Sequence, residues 1–209
     1  MDKILCLGKN FPLHAAELGE SQPPFPVVFS KFPSVLVELG PYSDQKVALC
    51  SRALEIHHEL EVVLRLGRGG YEIPEAEALH HLEAVSIGLD LTDRPLQEQL
   101  KRNGHPWTIA KNFRNAAIVG PFVPVGEFPD FLTTPFLLEV DGNLKQRGVL
   151  SEAFYGPAQA IAYLSRRFSL DAGDLVFMGT PTGVGKLGGG SLLRLSYGPL
   201  DLTFETTSH

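Results

Sequence analysis

The sequence is poor in cysteine, in long apolar runs and in positive charge. Its 209 residues hold two cysteines, Cys6 and Cys50, each inside an apolar stretch (Ile4-Leu5-Cys6-Leu7 and Val47-Ala48-Leu49-Cys50) and without metal-type spacing between them. Both read as buried thiols in a reducing compartment. No segment approaches the ~18 apolar residues of a spanning helix, and the apolar run within Met1 to Gly8 is too short for a signal-peptide core. A membrane is therefore not an expected partner, and the cytoplasm is the default location. Lys and Arg number 18 against 24 Asp and Glu, a net charge of −6, and no basic cluster exceeds Arg166-Arg167. Nucleic acid is excluded as an expected partner on the same ground.

What remains is a composition close to the globular average, 44% hydrophobic and 20% charged, which fits neither a disordered chain nor a coiled coil. The length predicts one domain, residues 1–209, with no repeat and no low-complexity linker. Gly 21 and Pro 16 spread without a period, a pattern of many turns and few long helices. Val27-Val28-Phe29 predicts a short strand between loops. Residues 59 to 66 alternate with period two, as do 84 to 91, predicting two more strands. Apolar runs at 136–140, 175–178, 192–195 and 200–204 predict others. Helices are expected from Pro74 through His80 and His81, both of them exposed, over 95–102, and over 156–168 with Ile161, Leu164 and Phe168 on one face. The sum is a strand-rich α+β domain with a few short helices.

Chemistry concentrates in four places. Residues two apart on a strand share a face, so Glu59 and Glu61 project side by side. Two like charges that close require water or a cation between them; a solvated edge strand is the plain alternative. Asp90 ends the following strand on a face that otherwise carries Ser86 and Gly88, whose small size leaves room beside it. Three carboxylates without a thiol match the hard oxygen set that Mg²⁺ or Mn²⁺ prefers. His57 shares the face of the glutamates and could make a His-Glu-Glu set, or pack behind the carboxylates.

The run Gly179-Thr180-Pro-Thr-Gly183-Val-Gly185-Lys186 lacks the following helix of a dinucleotide site and the spacing of a P-loop. It reads either as a turn whose amides and Thr180 hydroxyl cradle an anion or as an ordinary hairpin connection. Lys111 follows apolar residues and is either a snorkelling surface lysine or a buried cation facing the carboxylates. His14 and Glu17 lie one helical turn apart, where a carboxylate can orient an imidazole as a general base, or where both are simply exposed.

Five motifs in order, Gly8-Lys-Asn10-Phe-Pro-Leu-His14, His57-His-Glu59-Leu-Glu61, Gly88-Leu-Asp90-Leu-Thr-Asp-Arg94, Trp107-Thr-Ile-Ala-Lys111-Asn-Phe113 and Gly179-Thr-Pro-Thr-Gly-Val-Gly185, resemble the fumarylacetoacetate hydrolase family, and most of all its small acylpyruvate hydrolase and oxaloacetate decarboxylase branch. The resemblance implies a mixed β-roll of the family's C-terminal-domain type without an extra N-terminal domain, and a homodimer. It implies Mg²⁺ or Mn²⁺ on Glu59, Glu61 and Asp90, and a substrate-contacting Lys111. It also implies a carboxylate-binding turn at Gly179 and Thr180, a water-activating His14 and Glu17, and Arg94 and Gln97 lining the site. The implied reaction is metal-dependent hydrolysis of the C–C bond of an acylpyruvate, a small anionic 2-oxo acid, to pyruvate and a carboxylic acid. The alternative through the same enolate is oxaloacetate decarboxylation or tautomerisation, or isomerisation of unsaturated 2-oxo dicarboxylates. A more remote one is a non-catalytic protein with a structural cation. Three carboxylates against a divalent metal and Lys111 predict a site of zero net charge.

Overall fold

The computed structural model describes residues 1–17, 21–40 and 45–208, with the side chains of 14–16 outside the description. The first half of the chain contributes strands β1 (Ile4–Gly8), β2 (Val27–Lys31), β3 (Leu36–Glu38), β4 (Gln45–Ala48), β5 (Ile56–His58), β6 (Leu60–Leu66), β7 (Leu82–Asp90) and β8 (Thr92–Asp93). The second half adds β9 (Ala117–Val119), β10 (Val123–Pro124), β11 (Pro135–Val140), β12 (Asn143–Val149), β13 (Leu175–Phe177), β14 (Gly185–Lys186), β15 (Leu192–Tyr197) and β16 (Leu200–Thr207). The helices are short: α1 (Pro12–Glu17), α2 (Glu75–Ala78), α3 (Arg94–Arg102), α4 (Thr108–Lys111) and α5 (Pro157–Ser165). None among the described residues is long and apolar enough to cross a membrane.

Strand order in the eight-stranded sheet is β2-β1-β13-β6-β7-β9-β3, with β10 also on β7. A five-stranded sheet runs β12-β11-β15-β16-β4, and a three-stranded one β14-β5-β8. Both larger sheets are mixed: β1 with β13, β3 with β9 and β16 with β4 are parallel, the other pairs antiparallel. The expected strand-rich architecture is therefore present.

β6 explains how the sheets are held together. Its even-numbered residues Leu60, Val62 and Leu64 join one apolar cluster with Phe136, Leu138, Leu193 and Leu195 of the five-stranded sheet. On the opposite face Val63 packs with Ile4, Cys6, Val119 and Phe177. Each such side chain contributes about 1.5–3 kcal/mol by leaving water, so a central strand apolar on both faces is the natural hub. The expectation of a solvated edge falls with it: Glu61, on the face of Val63, is 1% exposed.

Local differences from the sequence reading have local causes. The strand expected from Glu59 begins at Leu60, because Ile56–His58 pairs with β14 and β8 while Leu60 pairs with Leu89 of β7. Glu59 thus sits where the chain changes sheet. The helix expected over 156–168 is α5, ending at Ser165 and leaving Phe168 beyond it and exposed. Gly156 is its extended N-cap, with its N–H donated to the Gln159 side chain at 3.0 Å. The helix after Pro74 closes as a tight 3₁₀ turn over Leu79–His81 that buries His81 rather than exposing it. Cys6 is buried as expected, but Cys50 is only half-buried. Gly88 does not open space beside Asp90; a β-carbon there would strike the carbonyl of Ile118, so its absence admits β9.

Candidate active site

β6 and β7 run antiparallel with Glu61 opposite Gly88, and the Asp90 N–H donates to the carbonyl of Glu59 at 2.9 Å. This register gathers the three acids that the sequence nominated: one oxygen from each of Glu59, Glu61 and Asp90 lies within 4.8 Å of the others, and all three residues are buried. Such a cluster is held against its own repulsion by cations. Lys111, at the end of α4 and 2% exposed, donates to Glu59 Oε2 at 2.9 Å, Asp90 Oδ2 at 2.6 Å and Thr92 Oγ1 at 2.7 Å. Of its two readings, the buried cation is the observed one. Burial alone would depress the Lys111 ammonium, but the charges of Asp90 and Glu59 more than compensate and hold it above the usual lysine range. Its ammonium also stands 4.7 Å from the centre of the Phe29 ring.

Arg94, the first residue of α3, hydrogen-bonds Glu59 Oε1 through one guanidinium nitrogen and Gln97 Oε1 at 2.6 Å through the other. The cap before it is Asp93, whose side chain accepts from the N–H of Leu96. Glu61 has the poorest compensation. Burial, then the charges of Asp90 and Glu59, push its carboxyl well above the ordinary carboxylate range, opposed by Lys111 and the Gly179 N–H. That N–H donates to Glu61 Oε2 at 2.6 Å. One amide of the glycine turn therefore meets an anion, but that anion is a side chain of the protein and not a ligand. Gly179 has φ +90° and a β-carbon on it would come 2.8 Å from Asn10 Cβ, so only glycine brings this amide to Glu61.

The chemistry of the donor set fits a hard divalent cation: carboxylate oxygens and no sulfur or imidazole. One atom makes the fit specific. Asp90 Oδ1 is fully buried and accepts no hydrogen bond among the described residues, although Lys31 Nζ lies 2.7 Å away. The three ammonium protons of Lys31 go elsewhere, to the carbonyls of Leu91 (3.1 Å), Lys111 (2.6 Å) and Ala116 (2.8 Å). Oδ1 thus keeps its lone pairs.

A cavity of about 290 Å³ opens over the cluster, lined by Glu59, Glu61, Arg94, Gln97, Lys111 and Thr180, and Glu17 belongs to the same wall. The structure so brings together every site residue named from the sequence but two: Gly179 acts through its amide on Glu61, and the side chain of His14 lies outside the described residues. His57 also reaches the cavity, but its Nε2 is 2.9 Å from Glu55 Oε1, and it is not part of the cation-holding set. Sequence reasoning missed Lys31 and Gln146. On a period-two strand Lys31 shares a face with Phe29, which was a usable signal. Gln146 sits in the polar run Asn143-Leu-Lys-Gln-Arg147, which carries none.

A mixed β-roll with a buried carboxylate triad, a buried lysine and a small open cavity is an arrangement that can hold a divalent cation beside a small ligand. Residues 3–202 match the family described as fumarylacetoacetate (FAA) hydrolase C-terminal. The chain is 34% identical over 204 residues to an oxaloacetate tautomerase of Escherichia coli, covering 97% of this chain and 91% of that one. It is 35% identical over 184 residues to a mitochondrial oxaloacetate tautomerase of Mus musculus, covering 88% and 81%. A crystal structure of fumarylpyruvate hydrolase from Pseudomonas aeruginosa, in complex with Mn²⁺ and pyruvate, superposes with a TM-score of 0.95 at 33% identity, covering 100% of this chain and 91% of that one. The protein belongs to the fumarylacetoacetate hydrolase family.

Proposed function

We propose that the protein is a divalent-metal-dependent enzyme that hydrolyses the C–C bond of acylpyruvates, releasing pyruvate and a carboxylic acid. The observation that carries this reading is Glu17 on the wall of the cavity that Glu59, Glu61 and Lys111 floor. Hydrolysis, unlike tautomerisation, needs a group that activates water, and Glu17 lies one turn from His14 on α1.

Glu59, Glu61 and Asp90 would hold Mg²⁺ or Mn²⁺, and the ion, when bound, supplies Lewis acidity toward the carboxylate and keto oxygens of a 2-oxo acid. Lys111 places a fixed positive charge beside the same floor, where the leaving pyruvate enolate develops its negative charge. Thr180 offers a hydroxyl to the substrate carboxylate, and Arg94 and Gln97, tied to each other, shape the wall. His14, oriented by Glu17, takes a proton from the water that attacks the distal carbonyl. The C–C bond then breaks, and the enolate collects a proton to become pyruvate.

The electrostatics support an anionic substrate. Lys31 and Arg94 enter the count with Lys111, so three carboxylates meet three side-chain cations rather than one. A divalent ion then leaves the site positive, not neutral as the sequence implied, which favours a small anion despite the net charge of −6.

The names of the tautomerase relatives favour a second reading, in which oxaloacetate exchanges its keto and enol forms at the same floor without need of His14 and Glu17. Steady-state assays of acylpyruvates of increasing chain length and of oxaloacetate, on the wild type, His14→Ala and Glu17→Ala, separate the two. Loss of acylpyruvate hydrolysis in both variants is expected. Hydrolysis at the wild-type rate in both would remove His14 and Glu17 from the reaction, and a wild type that tautomerises oxaloacetate but hydrolyses no acylpyruvate would leave the tautomerase reading. The proposal also takes the enzyme as cytoplasmic, consistent with two free thiols, and as homodimeric, which light scattering in solution measures.

A further inference from the structure

Gln146 is 1% exposed and lies on β12, whose other residues are mostly in solvent. Its carboxamide has four hydrogen-bonding capacities and uses them all. Oε1 accepts from the Leu60 N–H at 2.9 Å and lies 2.9 Å from His58 Nδ1. Nε2 donates to Thr180 Oγ1 at 2.8 Å and to the carbonyl of Pro181 at 3.0 Å.

The backbone amide of Leu60 can only donate, so Oε1 must be the atom facing it, and the amide cannot be flipped. Two consequences follow from that anchor. His58 must carry its proton on Nδ1 to meet the same oxygen. Thr180 Oγ1 must accept from Nε2, which commits the hydroxyl proton to a different direction. The nearest acceptor for that proton among the described residues is the carbonyl of Pro181 at 3.5 Å, at the limit of a hydrogen bond. Thr180 is itself buried and lines the cavity.

The fit of the turn onto β12 is close. Gly183 has φ +91°, and a β-carbon there would run into the carbonyl of Lys145, the residue before Gln146. At its far end the turn pairs Gly185 with His58. The strand carrying Gln146 and the turn carrying Thr180 are therefore locked at both ends.

From this geometry we infer that Gln146 is a positioning residue that sets the polarity of the Thr180 hydroxyl, making it an obligatory donor to the carboxylate of a 2-oxo acid in the cavity. The inference rests on the proposed function for the identity of that ligand. Gln146 does not touch the substrate; it acts through Thr180, and the cost of getting its own dipole wrong is carried by binding rather than by bond cleavage.

The test compares wild type, Gln146→Glu, Thr180→Val, Thr180→Ser and the Gln146→Glu/Thr180→Val double variant, all Mn²⁺-loaded. A glutamate at 146 keeps both acceptor contacts but offers Thr180 no donor, so the hydroxyl turns to the carboxylate and away from the cavity. The readouts are pyruvate Kd by calorimetry and the KM-against-kcat split on the best substrate. We expect Gln146→Glu and Thr180→Val each to weaken pyruvate binding and raise KM about tenfold or more, as loss of one charge-assisted hydrogen bond would, with a larger effect on KM than on kcat. Thr180→Ser, which keeps the hydroxyl, should recover most of the pyruvate affinity that Thr180→Val loses. The double variant should be no worse than either single one, because both remove the same bond. Equal pyruvate affinity in wild type and Gln146→Glu, or additive losses in the double variant, overturns the inference.

If Gln146→Glu does not fold, a crystal structure of the wild type with Mn²⁺ and pyruvate decides. A pyruvate carboxylate oxygen within hydrogen-bond distance of Thr180 Oγ1, with the Gln146 Nε2 contact retained, supports it. A carboxylate beyond that reach contradicts it. A wild type that neither binds pyruvate nor turns over any 2-oxo acid indicts the proposed function instead.

Discussion

Lys31 Nζ stands 2.7 Å from Asp90 Oδ1 and gives it no proton. The lysine is buried and its protons serve three carbonyls, those of Leu91, Lys111 and Ala116, which belong to the segments carrying Asp90 and Lys111. One ammonium thus ties the backbone around the site together and lends Asp90 a charge, while Oδ1 accepts no hydrogen bond among the described residues.

Replacing that ammonium by an apolar chain of similar length should be costly. Lys31→Met strips three buried carbonyls of their donor and Asp90 of a counter-charge, and breaking a buried pair from one side typically costs about 3–5 kcal/mol. Denaturant unfolding of the metal-free protein should show a midpoint well below that of the wild type. An unchanged midpoint would remove Lys31 from the account.

Gly179→Ala should disturb Glu61 selectively. The left-handed backbone and the approach to Asn10 Cβ at 2.8 Å and to the Leu7 carbonyl at 3.0 Å leave no place for a methyl group. We expect a stability loss of at least ~1 kcal/mol, together with weaker Mn²⁺ binding, because the amide that faces Glu61 must move. Calorimetric Mn²⁺ titration beside a melting curve measures both. Normal metal affinity in a destabilised variant would show that the amide matters only to folding.

How far these features were legible in the sequence follows their physics. The carboxylates were legible because period two fixes which strand residues share a face, and because Glu59, Glu61, Asp90 and Lys111 fall in motifs whose order resembles the family. Helix ends were less so: Phe168 continues an apolar stripe that α5 abandons at Ser165, since the Ser165 hydroxyl turns back to the carbonyl of Ala162 and takes the Ile73 N–H. Gln146 was invisible for a different reason. On β12 the polar side chain points inward and the charged neighbours Lys145 and Arg147 point outward, so the strand buries a hydrogen-bonding amide where alternation looks for an apolar residue. Lys31 was missed although its strand face, shared with Phe29, pointed inward, because a lysine at a strand end is usually solvated.

The two thiols should differ in reactivity. Burial, with the charges of Asp90 and Glu61 adding to it, pushes the Cys6 thiol well above its usual range, and it lies in the apolar cluster with Ile4 and Phe177. Cys50 is half-buried. Titration with a chromogenic disulfide should find one reactive thiol in the native protein and two in denaturant. Two thiols reacting at similar rates in the native protein would contradict the packing described for β1.

Metal binding should stabilise the fold by mass action. At a free Mn²⁺ concentration of 100 Kd the gain is about 2.7 kcal/mol, which for a chain of this size raises Tm by roughly 5–10 °C. The shift should vanish in Asp90→Asn, whose amide offers one neutral oxygen where the carboxylate offered a charged, unbonded one. A full shift in that variant would place the ion elsewhere.

The most direct measurement is turnover of an acylpyruvate and of oxaloacetate by wild type and Asp90→Asn, each assayed after EDTA treatment and again after Mg²⁺ or Mn²⁺ is restored. The account predicts activity in the metal-restored wild type, loss of it in EDTA, and no recovery with metal in Asp90→Asn. An EDTA-treated wild type as active as the metal-loaded one, or an Asp90→Asn enzyme that metal fully restores, would contradict the claim that Glu59, Glu61 and Asp90 form a metal-holding catalytic floor.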